Sequence, residues 1–174
     1  MELEHRVALE VRAAGRKLSG YAATFGTEAK IADFTEVIRI GAFTDSIRDA
    51  ERDILALIDH SPQRLLGRTR SGTLHLAEDS KGLAFAIDVP DTQEGRDMLA
   101  LAERGDLGGM SFGFRVPKGG DVWNGNRREL VKVDLVEVSI ITAWPAYDGT
   151  VVQARAARPA LQRACRYLET LWGS

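Results

Sequence analysis

Apolar and polar residues alternate through Val7, Leu9 and Val11, and again from Leu18 to Phe25, which predicts two strands joined by a tight hairpin at Gly15-Arg16. Residues 26–35 carry no clear period and read as a loop. A short strand over Glu36–Ile40 follows, then a helix over Ala42–Glu51, where Phe43, Ile47 and Ala50 fall at helical spacing. Ile54 to Ile58 is a continuous apolar run of buried-strand length, ended by Asp59-His60-Ser61-Pro62. Two alternating runs, Thr73–Ala77 and Leu83–Val89, flank a turn at residues 79–82. Thr92–Arg104 has the marks of a helix: Thr92 as N-cap, Met98, Leu99 and Ala102 on one face, and Gly105 as terminator.

The next run, residues 105–116, alternates most strictly. Met110, Phe112, Phe114 and Val116 take one face of a strand and throw Ser111, Gly113 and Arg115 onto the other. Glycines at 108, 109 and 113 are expected to open space around the serine for a substrate backbone. A polar excursion over residues 118–126 precedes strands at Arg128–Val133 and Leu135–Thr142. In the latter, Val136, Val138 and Ile140 share one face, and Glu137, Ser139 and Ile141 the other. Pro159 opens a C-terminal helix with Leu161, Cys165, Leu168 and Trp172 as its apolar stripe. Many strands, about three helices and no regular alternation between them predict an α+β, mainly β fold: a β-barrel or curled sheet flanked by helices.

Composition narrows the classes. A chain of 174 residues, 44% hydrophobic and 28% charged, is large enough for one well-cored domain and is not generally disordered. Its net charge of −2 supplies no electrostatic drive toward nucleic acid, and Trp123 with Arg127 and Arg128 reads as a basic hairpin. The single cysteine, Cys165, excludes an internal disulfide and a cysteine-based zinc site. No apolar run approaches the roughly 18 residues that span a bilayer, and the charged first residues are unlike a signal peptide. The expectation is a soluble protein of a reducing compartment.

Ser111 becomes a nucleophile only beside a base, because a free hydroxyl is too weakly acidic to react near neutral pH. Of the three histidines, His5 lies near the terminus, and His75 sits between Leu74 and Leu76 on a solvated strand face. His60 stands where a buried strand leaves the core, a common place for a positioned catalytic group. Its orienting acid is expected to be Glu137, an acid flanked by Val136 and Val138. Asp59, Asp134 and Asp148 are alternatives, and Ser139 is a rival nucleophile without the surrounding glycines. Three scattered histidines and one cysteine make no evident metal set. No phosphate-binding glycine loop or GxSxG elbow is present, so neither a metal nor a cofactor is expected.

The segments Gly20-Tyr-Ala-Ala-Thr-Phe-Gly26, Gly41-Ala-Phe43, Ala56-Leu-Ile-Asp-His60, Leu66-Gly-Arg-Thr69, residues 105–114, Glu137-Val-Ser139 and Pro145-Ala-Tyr147 occur in an order that resembles the prohead (capsid maturation) serine proteases of tailed bacteriophages. The resemblance runs from about residue 5 to about residue 155. It implies a β-barrel surrounded by helices, similar to the herpesvirus assembly proteases. It also implies Ser111 as nucleophile, His60 as general base and Glu137 as third member, near the position where the herpesvirus enzymes carry a second histidine. The oxyanion donor is then expected in the loop around Trp144 to Asp148. The implied substrates are the phage major capsid protein and a scaffold protein, cut inside the procapsid in the bacterial host, with self-cleavage besides. No nucleic-acid or membrane partner is expected. Residues 1–157 form the expected protease domain, and residues 158–174 a helix suited to docking on it, to pairing two protomers, or to joining a scaffold segment. A capsid-assembly module that binds coat or scaffold protein without cutting it is the alternative.

Overall fold

The computed structural model describes residues 2–8 and 10–143. The predicted C-terminal helix, the domain boundary near residue 157 and the loop at 144–148 lie outside them. Among the described residues, thirteen strands form three sheets, accompanied by two helices. The first sheet carries β1 (Glu4–Ala8), β10 (Gly109–Arg115), β13 (Asp134–Ile141), β6 (Leu55–Ile58) and β7 (Ser61–Arg68), in that spatial order. The second has β11 (Asp121–Asn124), β12 (Arg127–Leu130), β5 (Phe34–Ile38) and β4 (Glu28–Ile31); the third has β2 (Glu10–Ala14), β3 (Lys17–Thr24), β9 (Gly82–Asp88) and β8 (Leu74–Glu78).

The mainly β fold agrees with expectation, but among the described residues the strands make three open sheets, not a closed barrel. Closure needs one unbroken hydrogen-bond ladder. Here the run through Val7 and Val11 divides into two strands, β1 joining the first sheet and β2 the third. The sheets meet through side chains instead. Met110, Phe112, Phe114, Val138 and Ile140 of the first sheet, Leu130 of the second, and Leu18, Phe85 and Ile87 of the third are buried in one cluster. Phe112 packs edge-on against Phe43 at 5.4 Å and stacks on Phe114 at 5.2 Å.

Strands β7 and β11 lie where the sequence predicted none, and two further segments differ from expectation for local reasons. Residues 26–35 are not a loop. They include β4 and its turn into β5, an edge strand whose alternation, Glu28-Ala29-Lys30-Ile31, spans only four residues and does not stand out from the turns around it. The helix expected over Ala42–Glu51 shrinks to α1 (Thr44–Arg48), because Phe43 offers no side-chain cap and the backbone turns extended at Asp49. The second helix, α2 (Gln93–Arg104), matches in detail: Thr92 Oγ1 accepts from the Gly95 N–H, and Gly105 closes the helix in the left-handed conformation at φ 77°.

Candidate active site

The core face of the first sheet is apolar, and the opposite face carries the chemistry. β10 is antiparallel to both neighbours, with His5 and Glu137 each opposite Gly113, and Val7 and Ser139 each opposite Ser111. One transverse row therefore reads His5, Gly113, Glu137, and the adjacent row Val7, Ser111, Ser139. Gly113 has a specific task. A Cβ at this position would overlap Glu137 Oε1 and stand 3.0 Å from His5 Cδ2. The absent side chain lets an imidazole and a carboxylate meet above the middle strand, so this glycine makes room for the protein's own side chains rather than for a substrate backbone. Gly108 likewise serves packing, since a Cβ there would overlap the Ala143 carbonyl.

His60 enters from β6. Ile58 pairs with Ser61 across a two-residue turn in which Asp59 and His60 both have positive φ, 49° and 58°. That is the φ signature of a type I′ turn, usually filled by Asn-Gly, and it costs non-glycine residues about 1–3 kcal/mol each. Asp59 anchors the turn. Its Oδ1 accepts the Thr142 N–H at 2.9 Å, and its Oδ2 accepts Thr142 Oγ1 at 2.7 Å and Arg64 Nη1 at 2.9 Å. Asp59 thus holds the turn to the end of β13, and the carboxylate facing His60 belongs to Glu137. His60 Nδ1 lies 2.8 Å from Glu137 Oε1.

Glu137 sits beside a β-bulge. Gly113 pairs with Glu137 but Phe114 with Leu135, leaving Val136 as the extra residue. Leu135, fully buried, therefore takes the core place that strict alternation assigns to Val136. The carboxylate is 5% exposed and held on both oxygens: Oε1 faces His60 and, at 3.4 Å, His5 Nε2, while Oε2 accepts the Ser139 hydroxyl. Burial by itself would raise its pKa. The contacts with His5, His60 and Ser139 outweigh that and hold it at about 2, so the group is an anion at neutral pH.

Ser111 is fully buried, and its Oγ has no hydrogen-bond partner among the described residues. The bond from Ser111 to His60 is accordingly not made in this state. Serine-enzyme sites commonly tighten that bond only when substrate arrives. With the proton on Nδ1 directed at Glu137, Nε2 is left as an acceptor.

The fold brings together His60 and Glu137 and puts Ser111 on the same sheet face. The other nominated groups are occupied: Ser139 donates to Glu137, Asp134 accepts Arg52 Nη2 at 3.0 Å, and Asp148 lies outside the described residues. His5, passed over as a terminal residue, is the group missed. Its ring lies 4.0 Å from that of His60, centroid to centroid. The phase shared by His5 and Val7 along one strand was its only local signal; the neighbouring strand is a property of the tertiary fold. Arg128 of the basic hairpin is bound to Glu4, Glu36 and Asp121, consistent with a neutralised cluster rather than a nucleic-acid surface. Among the described residues, no helix is long and apolar enough to cross a membrane.

Comparison with curated proteins and with solved structures returns no match. A family model described as caudovirus prohead serine protease matches residues 3–163, and the chain belongs to that family, whose members are serine proteases of tailed-phage capsid maturation.

Proposed function

We propose that this chain is an endopeptidase acting through Ser111, His60 and Glu137 on the phage major capsid protein or its scaffold within the procapsid. The observation that carries the reading is the 2.8 Å contact between His60 Nδ1 and Glu137 Oε1, made in a member of a serine protease family on the sheet face that bears Ser111. In the first step His60 Nε2 takes the Ser111 proton as Oγ attacks the substrate carbonyl, and Glu137 stabilises the imidazolium that forms. In the second, the imidazolium returns its proton to the leaving amine, and water repeats the sequence to free the acyl group. Donors to the tetrahedral oxyanion are worth about 3–4 kcal/mol each.

Co-expression with the capsid and scaffold proteins of the same phage tests the assignment. Wild type should shorten one of them, and Ser111→Ala should leave both intact. Undiminished processing by Ser111→Ala would remove Ser111 from the role and favour a coat-binding module or another nucleophile. Self-cleavage is read in the same gels as shortening of the wild-type chain only.

A further inference from the structure

We propose that His5, His60 and Glu137 form a binding site for Zn²⁺ and that its occupancy switches the protease off. The binding half stands on geometry alone; the inhibitory half rests on the function proposed above. One donor atom each from His5, His60 and Glu137 lies within 4.8 Å of the other two. The two nitrogen-to-oxygen separations are 2.8 and 3.4 Å. Donors bound tetrahedrally to zinc at about 2.0–2.1 Å stand about 3.3 Å apart, so small adjustments would convert these contacts into a coordination shell. Two imidazoles and one carboxylate are a donor set that zinc accepts, with the remaining position left to water.

The surroundings fit an ion better than a bare cluster would. The carboxylate is buried and its second oxygen is fixed by Ser139, the kind of outer contact that orients a metal ligand. The side chains of His5 and His60 are 30% and 28% exposed, which gives an ion a path in and room for its water. The His5 and His60 rings are tilted by 51° to each other, not stacked flat.

Occupancy would silence the base through its tautomer. A metal on Nδ1 of neutral His60 requires the ring proton to sit on Nε2. That nitrogen then donates and cannot accept the Ser111 proton. No proton is gained or lost overall; it only changes ring nitrogen. The metal also takes the Glu137 oxygen that steadied the imidazolium.

His5 separates this site from the triad, because metal binding needs it and the proton transfer does not pass through it. The whole chain, stripped with a chelator, is titrated with Zn²⁺ by calorimetry and with Co²⁺ by visible absorption. Wild type and Ser111→Ala should bind one equivalent, with the intense visible bands of tetrahedral cobalt. His5→Ala, His5→Gln and His60→Ala should each bind at least about tenfold more weakly, the least that loss of even an outer partner brings. Equal affinity in a folded His5→Gln variant, or no binding by wild type, overturns the site. Cleavage by wild type should fall as zinc binds and return with chelator, and stimulation by zinc would overturn the switch. Failure of the protease reading looks different: it leaves zinc binding intact while processing ignores Ser111→Ala.

Discussion

A buried hydroxyl without a partner is an expense to the folded state, and Ser111 Oγ is such a hydroxyl. Leaving a buried polar group unsatisfied costs about 1–3 kcal/mol. Ser111→Ala removes that penalty and no hydrogen bond, so the variant should be as stable as wild type or up to about 1 kcal/mol more stable in urea titrations. A clear loss of stability would mean that Oγ is bonded after all. Gly113→Ala makes the opposite prediction. Its new methyl would push Glu137 Oε1 from its place and crowd His5. A misplacement of about 1 Å in such a site costs roughly 100-fold in rate. Turnover by Gly113→Ala should fall by at least that factor while its far-UV circular dichroism stays native. Activity near the wild-type value would show that the Glu137 position is not what the reaction depends on.

At the scale of elements, β1 is an edge strand tied to the second sheet by charge. Arg6 reaches Glu36 through Nε at 2.6 Å and Nη2 at 2.9 Å, and Arg128 reaches Glu4 at 2.7 and 2.9 Å and Glu36 at 3.2 Å. Burial alone would raise the Glu4 pKa; the bonds and charges of Arg128 and Arg6 outweigh it and lower the value below the ordinary one. An acid lowered in the folded state contributes stability above its unfolded pKa of about 4.3, and that contribution fades as pH falls through the lower folded value. Arg128→Met should therefore cost about 3 kcal/mol at neutral pH, with the gap from wild type narrowing as the buffer is acidified below pH 4. Urea midpoints across pH check this, and a gap independent of pH would rule out the carboxylates as its source. The same strand shows where sequence reasoning stops. Alternation identified β10 and β13, and the chemistry of a strand exit singled out His60. Nothing local says that Glu4, His5 and Arg6 pair with Phe114, Gly113 and Phe112, or that a bulge at Val136 shifts the face of Leu135. Cross-strand neighbours and bulges are set by the packing of distant segments, and an edge strand as short as β4 alternates over too few residues to stand out.

For the whole molecule, the consequence is cooperative. The candidate site takes its parts from β1, the β6–β7 turn, β10 and β13, which are distant in sequence and adjacent in one sheet. The other face of that sheet is the buried cluster of Ala56, Ile58, Met110, Phe112, Phe114, Val138 and Ile140. Each strand that contributes to the candidate site also buries core residues or pairs with one that does. Local melting of the site would therefore expose apolar area at about 25 cal/mol per Å², a penalty that no loop-built site would meet. Loss of peptide-cleaving activity and loss of far-UV circular dichroism should follow one urea transition, with midpoints that superimpose. Activity that disappears at clearly lower urea would show the site opening as a separate unit, with edge strand β1 as the first element to test. His5→Gln distinguishes the two: if β1 detaches early, loss of the His5 contact with Glu137 moves the activity transition alone to lower urea, whereas in the cooperative molecule it shifts activity and structure together.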